Sequence, residues 1–279
     1  MKIAVLSGKG GTGKTLVSVN MAAAARAATY VDCDVEEPNG HLFFKPRDVQ
    51  VETVAIKIPW VDQQLCDGCQ QCVQFCNFNA LAHAGGKLVI FEDICHACGG
   101  CILLCPQHAL TETEKPIGQV RRGKSRGIAV HSGELNPGIP SGVPIITQLL
   151  QGLKDDGKPV FIDCPPGSAC IVMESIAEAD YCLLVAEPTV FGAHNLELVH
   201  QLVTLFEKPH GVVLNKCIDG PNPSQQYCQT HQVPVLASIP YDEKLGRLTS
   251  NGLIAVWEDA GYRQIFLDLL ERVSREVAG

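Results

Sequence analysis

The chain of 279 residues is 46% hydrophobic and 19% charged, which is enough apolar material for a sizeable core. No segment is continuously apolar over a membrane-spanning length. The 22 Lys and Arg residues are outnumbered by 30 Asp and Glu, so the net charge is −8 at pH 7. Such a chain lacks the basic field that binds phosphate backbones. We therefore expect neither a membrane nor a nucleic acid as its main partner.

Cysteine is unusually frequent. The chain has 14 cysteines, and eight of them lie between Cys66 and Cys105. The first residues, Met1 to Gly8, contain neither the long apolar stretch nor the small-residue cleavage site of a secretory signal peptide. We therefore expect a cytoplasmic protein. In that reducing environment, clustered thiols serve as metal ligands more often than as disulfide partners.

The order of apolar segments predicts an α/β fold. Residues 2–7 form a short apolar run, a glycine turn follows, and the Ala-rich segment 14–28 is predicted to be a helix. Further apolar runs, most of them separated by enough chain for a helix, cover residues 29–33, 128–130, 159–163, 181–186, 211–215 and 233–239. This alternation is typical of a mostly parallel sheet covered by helices on both faces. Residues 262–278 are predicted to form a terminal helix packed on that sheet.

One interval interrupts the alternation. From about residue 50 to about residue 120 the chain loses the strand and helix rhythm and gains the clustered cysteines. We interpret residues 56–117 as a domain inserted after the second strand, with residues 1–55 and 118–279 forming the α/β domain. The basic segment 121–126 is predicted to be a solvated connection, and docking of an anionic partner is the alternative.

A phosphate-binding motif follows the first predicted strand and opens the first predicted helix. It comprises Gly8, Lys9, Gly10, Gly11, Thr12, Gly13, Lys14 and Thr15, which match the P-loop pattern in its required context. The glycines allow backbone N–H groups to surround phosphates, and the helix N-terminus adds partial positive charge. Lys14 is expected to neutralise β- and γ-phosphate oxygens and Thr15 to offer its hydroxyl to Mg²⁺. A tight glycine turn without a ligand is the alternative.

With its second lysine at Lys9, the loop resembles the deviant P-loop of the MinD/ParA family of dimerising ATPases. The resemblance implies a nucleotide-sandwiched homodimer in which Lys9 reaches the phosphates bound to the facing subunit. Residues 30–34 resemble the switch I segment of this family, which implies that Asp34 orients the attacking water and Asp32 supports the metal site. Residues 160–167 resemble the Walker B and switch II segment, which implies that Asp163 holds Mg²⁺ through water. By itself, an aspartate that ends a strand is most often a turn former.

Two further segments resemble the parts of this family that contact the base. Asn215 and the residue after it resemble the adenine-reading position, and Pro240 with Tyr241 resembles the loop that covers the base. Two departures stand out. Leu16 replaces a threonine that contacts the α-phosphate in many relatives, and the chain between Lys14 and Asp32 is a few residues shorter than usual.

The clustered cysteines form two copies of the spacing C-x₂-C-x₂-C-x₃-C, which is that of bacterial ferredoxins with two 4Fe-4S clusters. In this spacing three cysteines bind one cluster and the fourth binds the other. The first predicted cluster is therefore held by Cys66, Cys69, Cys72 and Cys105, and the second by Cys76, Cys95, Cys98 and Cys101. Zinc is the competing interpretation, but it would leave the regular triplets unexplained.

The remaining cysteines show no such spacing; they are Cys33, Cys164, Cys170, Cys182, Cys217 and Cys228. Most are expected to be small apolar core residues. Cys33 and Cys164 lie within the switch segments, where redox sensitivity is the alternative. In the first cysteine motif Asn77 replaces the usual proline, whereas Pro106 keeps it in the second, so the surroundings of the two clusters are expected to differ.

The whole chain resembles MinD-superfamily ATPases that carry an inserted ferredoxin-like α+β domain. The resemblance and the cysteine spacing together imply a P-loop Mg-ATPase with two 4Fe-4S clusters. Because the predicted inserted domain directly follows switch I, we expect nucleotide state to be coupled to electron transfer or to metal-cofactor assembly. We also expect a redox or cofactor-assembly protein as its partner. Two alternatives stay open: an ATPase that positions or docks partners and uses the ferredoxin as a redox sensor, and an iron-sulfur cluster carrier.

Overall fold

The computed structural model describes residues 1–153 and 156–278. Their strands are β1 (Lys2–Leu6), β2 (Ala28–Asp32), β3 (Arg47–Val61), β4 (Leu81–Ala84), β5 (Lys87–Ile90), β6 (Leu110–Ser125), β7 (Ile128–Leu135), β8 (Val160–Asp163), β9 (Tyr181–Ala186), β10 (His210–Cys217) and β11 (Val235–Pro240). Nine strands form one sheet in the order β11-β10-β9-β1-β8-β2-β7-β6-β3, and β4 pairs with β5. The strands from β11 to β7 are parallel, whereas β6 and β3 extend the sheet with antiparallel pairings. The predicted mostly parallel sheet is confirmed.

The helices lie on both faces of this sheet and within the cysteine-rich segment. They are α1 (Lys14–Ala24), α2 (Gly40–Phe44), α3 (Gln71–Phe75), α4 (Gly100–Leu103), α5 (Val143–Gln151), α6 (Cys170–Ile176), α7 (Val190–Leu205), α8 (Pro223–Thr230), α9 (Glu243–Ser250), α10 (Ala255–Glu258) and α11 (Ala260–Ala278). A short 3₁₀ helix covers Glu92–Ile94. The predicted terminal helix corresponds to α11.

Two hydrophobic cores lie on opposite faces of the sheet because successive side chains of a strand point to opposite sides. On β1, Ile3 and Val5 join the core beneath α1, α10 and α11. Their neighbours Ala4 and Leu6 join the core beneath α5, α6, α7 and α8. All four side chains are fully buried. Helices therefore cover both faces, as the alternation of apolar runs predicts.

Two local predictions are wrong. The first helix ends at Ala24 rather than at residue 28, because Arg26 adopts a left-handed conformation with φ of 60°.

The basic segment 121–126 is not the predicted solvated connection, since residues 121–125 belong to β6 and pair with both β3 and β7. Antiparallel pairing lets a strand keep polar residues on its solvent side. Arg121 and Arg122, which point to opposite faces of the sheet, form ion pairs with Glu134 and Glu52.

The cysteine-rich segment continues directly from the large sheet. β3 and β6 pair along their whole length, from Arg47 opposite Lys124 to Val61 opposite Leu110. Residues 62–109 follow at the far end of this two-stranded arm. The proposed domain limits at residues 56 and 117 therefore fall inside continuous strands, and the division into two domains stays a prediction.

An internal repeat with an offset of 29 residues organises this segment. Val61 pairs with Leu110, and the residues 29 positions from each, Ile90 and Leu81, also pair with one another. The offset also relates α3 to α4. In both copies the residue before the helix has a positive φ, 62° at Gln70 and 71° at the equivalent glycine. The two cysteine motifs thus occupy equivalent places around an approximate two-fold relation.

Candidate nucleotide site and cysteine pockets

A cleft of about 860 Å³ opens at the carboxyl ends of the parallel strands. Residues predicted for the nucleotide site that line it are Gly10, Gly11, Gly13, Lys14, Thr15, Asp34, Asn215, Pro240 and Tyr241. The other predicted residues, Gly8, Lys9, Thr12, Asp32 and Asp163, lie next to this lining in the chain or in space. The fold thus brings together segments that are more than 200 residues apart, as expected where parallel strands end at one edge of a sheet.

The glycine loop has the shape that a phosphate requires. Gly13 has φ of 96°, and a Cβ there would lie 2.1 Å from Nδ2 of Asn215. That amide donates a hydrogen bond to the Thr12 carbonyl over 2.7 Å and so fixes this part of the loop. A Cβ at Gly10 would meet no atom within 4 Å, so this part of the loop faces open space. The loop therefore fits a phosphate group in the cleft.

Lys14 lies at the base of the cleft among carboxylates. Its Nζ is 2.5 Å from Oδ1 of Asp163 and 3.8 Å from Oδ2 of Asp34, and its side chain is only 6% exposed. Burial alone would lower the pKa of Lys14, but Asp163, Asp34 and Asp32 together raise it above its usual value. Tyr30 also donates a hydrogen bond to Asp163, over 2.9 Å. Tyr30 had no predicted role, although strand alternation places it on the same face as the buried Asp32.

The aspartates of this cluster carry more negative charge than Lys14 balances. Burial, together with repulsion from Asp163, raises the pKa of Asp32 to about 7. Burial also raises the pKa of Asp34 to about 6, although Lys14 acts in the opposite direction. Asp32 accepts hydrogen bonds from the N–H groups of Gly40 and Asp34, over 2.7 and 3.2 Å. A divalent cation would relieve this repulsion, so the donor set fits Mg²⁺ bound by Thr15 with the aspartates.

Lys9 forms an ion pair with Glu187 at the rim of the cleft. Glu187 lies just after β9, and its other oxygen is 3.9 Å from Nζ of Lys216. Lys216 also donates a hydrogen bond to the Gly11 carbonyl over 2.6 Å. The contact between Glu187 and Lys9 was not predicted, because the two residues are 178 positions apart and only the fold brings them together.

The side of the cleft near Pro240 and Tyr241 includes further residues for which no role was predicted. Leu245, Thr249 and Ser250 of α9 line it. Asp242 caps this helix through the Lys244 N–H at 2.7 Å. An N-cap aspartate before a short amphipathic segment was the signal that could have revealed α9.

Each predicted set of four cysteines lines its own pocket. One pocket contains Cys66, Cys69, Cys72 and Cys105, and the other contains Cys76, Cys95, Cys98 and Cys101. All eight are free thiols. The N–H of Ala80 points at Sγ of Cys76 and that of Ala109 at Sγ of Cys105, each over 3.3 Å. Such N–H groups stabilise negative charge on a ligand sulfur and tune the potential of a bound cluster.

The pockets do not form single-ion sites. In residues 1–153 and 156–278, no three His, Cys, Asp or Glu side chains are grouped so that they could hold one metal ion. A 4Fe-4S cluster is bulkier and spreads its four cysteine ligands around itself. The second pocket has a volume of about 210 Å³ and offers room for such a group between its four cysteines, whereas the first pocket has a volume of only about 20 Å³.

The surroundings of the two pockets differ at equivalent positions. Beside the first pocket, Asp67 accepts hydrogen bonds from the Cys69 N–H over 3.0 Å and from the Gln107 side chain over 3.1 Å. The residues equivalent to this pair by the 29-residue offset are His96 and Phe78, whose rings stack with centroids 3.8 Å apart. A carboxylate thus flanks one pocket, whereas an aromatic stack flanks the other.

Four of the six scattered cysteines are buried, as predicted: Cys33, Cys164, Cys182 and Cys228. Cys217 is half-buried and Cys170 is exposed. Burial raises the pKa of the Cys33 and Cys164 thiols well above the usual range. Because the thiolate is the reactive form, this argues against the alternative that these two residues sense redox state.

A glycine loop that opens a helix, a buried lysine and aspartates at the ends of parallel strands together define a P-loop nucleotide-binding protein. Residues 3–256 match the family model of the CobQ/CobB/MinD/ParA nucleotide binding domain. The chain therefore belongs to this family.

Known proteins resemble the chain over most of its length. An uncharacterized protein of Methanocaldococcus jannaschii is 29% identical over 221 residues, which cover 77% of this chain and 80% of that protein. An iron-sulfur cluster carrier protein of Pyrococcus horikoshii is 26% identical, and the match covers 98% of this chain and 85% of that protein. The septum site-determining protein MinD of Pyrococcus horikoshii, solved with Mg-ADP, superposes with a TM-score of 0.64 at 19% identity, covering 100% of this chain and 97% of that chain. The structural match shows the shared fold.

Within the described parts of the chain, none of the helices has both the length and the apolar character needed to cross a bilayer. The expected cytoplasmic location stays a prediction.

Proposed function

We propose that this chain is a homodimeric Mg-ATPase that carries two 4Fe-4S clusters and couples nucleotide state to electron transfer or to metal-cofactor assembly. Membership of a nucleotide-binding family and the geometry of the cleft support the ATPase part. In this proposal Lys14 binds the β- and γ-phosphates, and Thr15, Asp32 and Asp163 hold Mg²⁺. Asp34 orients the attacking water, since it lines the cleft within 4 Å of Lys14.

The homodimer rests on the family resemblance and on the position of Lys9. Its side chain lies at the rim of the cleft and is 36% exposed. In the proposed dimer Lys9 leaves Glu187 and contacts the phosphates bound to the facing subunit. Asn215 and the loop of Pro240 and Tyr241 then hold the base, because they line the opposite side of the same cleft.

The two cysteine pockets support the iron-sulfur part. Each is lined by one complete set of four cysteines, each set drawn from both motifs as the ferredoxin spacing requires. Bound clusters would supply one-electron chemistry. A segment of this size has little core of its own, so cluster binding is expected to contribute much of its folding free energy.

The proposed coupling is supported by a series of contacts that leads from the nucleotide cleft to the two-stranded arm below the cysteine pockets. Asp32 accepts a hydrogen bond from the N–H of Gly40, the first residue of α2. At the other end of α2, the Phe44 carbonyl accepts a hydrogen bond from the hydroxyl of Ser125, the last residue of β6. β3 begins at Arg47, shortly after α2. Both strands of the arm are therefore anchored to a helix that Asp32 holds.

A redox titration tests the coupling. The full chain is reconstituted with iron and sulfide under anaerobic conditions, and its clusters are titrated by EPR with and without Mg-ATP. We expect Mg-ATP to shift at least one cluster potential, because movement at Asp32 would be transmitted through α2 to the arm. The shift should persist in Asp34→Ala, which is expected to bind ATP without hydrolysing it. Identical potentials in all conditions would overturn the proposed coupling.

The iron-sulfur carrier is the second candidate, favoured by the relative of that name in Pyrococcus horikoshii. The two complete sets of four cysteines argue for firmly held clusters instead. Incubation of the loaded chain with an apo-acceptor, followed by iron counting on both proteins, distinguishes the two functions. Loss of iron from the chain at the rate at which the acceptor gains it would establish the carrier.

A further inference from the structure

Three exposed arginine residues line one cavity at the end of the sheet opposite the nucleotide cleft. Arg26 follows α1, Arg126 lies in the turn between β6 and β7, and Arg263 lies near the start of α11. The cavity has a volume of about 320 Å³, and we call it the arginine pocket. Its apolar lining consists of Ala23, Ala24, Ile128, Val256, Trp257 and Leu267.

The charges of these arginines are not balanced within the described chain. The neighbouring Arg121 and Arg122 form ion pairs with glutamates, but no ion pair among the described residues involves Arg26, Arg126 or Arg263. This is unexpected in a chain with a net charge of −8. Three like charges that share one concave surface repel one another.

Other contacts orient the arginines without neutralising them. The guanidinium of Arg126 lies 4.4 Å from the ring centroid of Trp257, and Arg263 donates a hydrogen bond from Nε to the Val256 carbonyl over 3.0 Å. Arg26 follows the carboxyl end of α1, where the helix dipole stabilises a cation. The dipole accounts for Arg26 alone. It does not explain why arginines from two other elements face the same cavity.

We infer that the arginine pocket binds a small phosphorylated molecule. Guanidinium groups match phosphate oxygens with paired N–H donors, and three of them suit a dianion better than a monocarboxylate. The Trp257 ring and the apolar lining would contact the organic part of the ligand. A volume near the lower end of the range for ligand pockets, about 300–1,000 Å³, favours a small phosphate ester over a nucleotide or a polymer.

Fluorescence of Trp257 provides a direct test. The chain has two tryptophans, so Trp60→Phe leaves Trp257 as the sole emitter. Because Arg126 lies over this ring, an anion that draws Arg126 away changes the emission. The protein is first saturated with Mg-ADP, so that the glycine loop cannot take up the probe. It is then titrated with glycerol 3-phosphate, inorganic phosphate, succinate or chloride at constant ionic strength.

We expect a saturable change with glycerol 3-phosphate, a weaker one with inorganic phosphate, and none with chloride. Arg263→Gln should weaken the affinity about tenfold or more, which corresponds to about 1.4 kcal/mol. Arg275→Gln is the matched control, because it removes the same charge from the same helix outside the pocket, and it should leave the affinity unchanged. Arg26→Gln gives a second test should Arg263→Gln fold poorly.

Three results would overturn the inference. The first is the absence of any saturable change with the phosphate probes. The second is an equal loss of affinity in Arg275→Gln and Arg263→Gln, which would indicate a general charge effect. The third is tighter binding of succinate than of glycerol 3-phosphate, which would identify a carboxylate site. Thermal unfolding with and without glycerol 3-phosphate supplies an independent readout, since a bound ligand raises the unfolding midpoint.

Discussion

The ammonium group of Lys14 and the carboxylate of Asp163 lie 2.5 Å apart in a buried ion pair at the base of the nucleotide cleft. The cation proposed to bind the phosphates is thus paired with the acid proposed to hold Mg²⁺. Asp32 and Asp34 add further negative charge around it. Phosphates that bind Lys14 would leave the aspartates without their counter-charge, and Mg²⁺ would supply it. We therefore expect phosphates and Mg²⁺ to bind together.

This arrangement predicts how loss of Lys14 affects stability. Lys14→Met keeps much of the side-chain volume but leaves the buried aspartates without a cation. At pH 8 the free energy of unfolding should fall by about 3–5 kcal/mol, the usual cost of removing one partner from a buried pair. At pH 5 the loss should be smaller, because Asp32 and Asp34 are then protonated. Urea unfolding of both proteins at the two pH values measures this difference.

Lys2→Met provides the control for this experiment. Lys2 forms an exposed ion pair with Glu178, and such pairs contribute about 0–1 kcal/mol. Lys2→Met should therefore lower the free energy of unfolding only slightly at both pH values. A Lys14→Met loss that is the same at pH 5 and pH 8 would contradict an effect of uncompensated carboxylates.

The raised pKa of Asp32 predicts proton release when Mg-ADP binds. With a pKa of about 7 in the free protein, Asp32 is largely protonated at pH 6.5, whereas a bound divalent cation favours the carboxylate. Binding at pH 6.5 should release a fraction of a proton, and binding at pH 8.5 should release almost none. Calorimetry in two buffers of different ionisation enthalpy gives the number of protons. Equal values at the two pH values would refute this protonation state.

The raised pKa of Asp32 also predicts how the stability of the fold depends on pH. An unfolded aspartate has a pKa of about 3.9, so at Asp32 the folded chain holds more protons than the unfolded chain between about pH 4 and pH 7. Asp32 therefore lowers stability as pH rises through this window, and its contribution is constant above it. His131 acts in the opposite direction, because burial and Arg122 lower its pKa to about 4, but only below about pH 6.5. Asp34, whose pKa is raised to about 6, acts in the same direction as Asp32, mainly below pH 6.5. Near pH 7 the contribution of Asp32 is therefore the largest of the three.

The sequence was most informative where local patterns determine structure. Apolar runs located the parallel strands, and the glycine loop located α1, because both depend on neighbouring residues. The cysteine spacing predicted the two groups of four thiols that line the two pockets, since a short spacing limits which cysteines can meet. Asp34 and Asn215 could be placed beside the loop because parallel strands end at one edge of a sheet.

Features that depend on distant residues were not predictable in this way. The basic segment became a strand because β3 and β7 supply hydrogen-bonding partners on both sides, and charge alone does not reveal such pairing. Glu187 gave no signal that it would meet Lys9. The arginine pocket gathers Arg26, Arg126 and Arg263 from three elements, and no pattern in the sequence relates them.

The pair of Lys9 and Glu187 leads to a prediction about dimerisation. In the proposed dimer Lys9 acts from the facing subunit, as arginine fingers do, and such groups accelerate hydrolysis by about 10³–10⁵. Lys9→Ala should therefore bind ATP nearly as well as the unaltered chain but lose ATP-dependent dimerisation and about 10³-fold in hydrolysis rate. Light scattering and phosphate release measure the two effects. Lys2→Ala, which removes a distant surface lysine, is the control, and an ATP-dependent dimer of Lys9→Ala would contradict the assignment.

Iron content tests the two cysteine sets separately. The loaded chain should contain about eight irons. Cys72→Ser should remove the cluster of the first pocket and Cys101→Ser that of the second, so each variant should retain about four. Cys170→Ser is the matched control, because Cys170 is exposed and lies outside both motifs. Full iron content in both pocket variants would exclude the assigned ligand sets.

Asp67 and His96 occupy equivalent positions beside the two pockets but differ in charge, so the two clusters should respond differently to substitution. Asp67→Asn removes a negative charge beside the first pocket and keeps an oxygen that accepts the Cys69 N–H. An electron is added more easily where negative charge is absent, so the potential of the first cluster should rise. The second cluster, flanked by the stack of His96 and Phe78, should keep its potential.

EPR titration resolves the reduction of the two clusters, and Asp268→Asn, on α11, controls for net charge. A rise of both potentials by equal amounts in both variants would show that net charge, rather than Asp67, sets them.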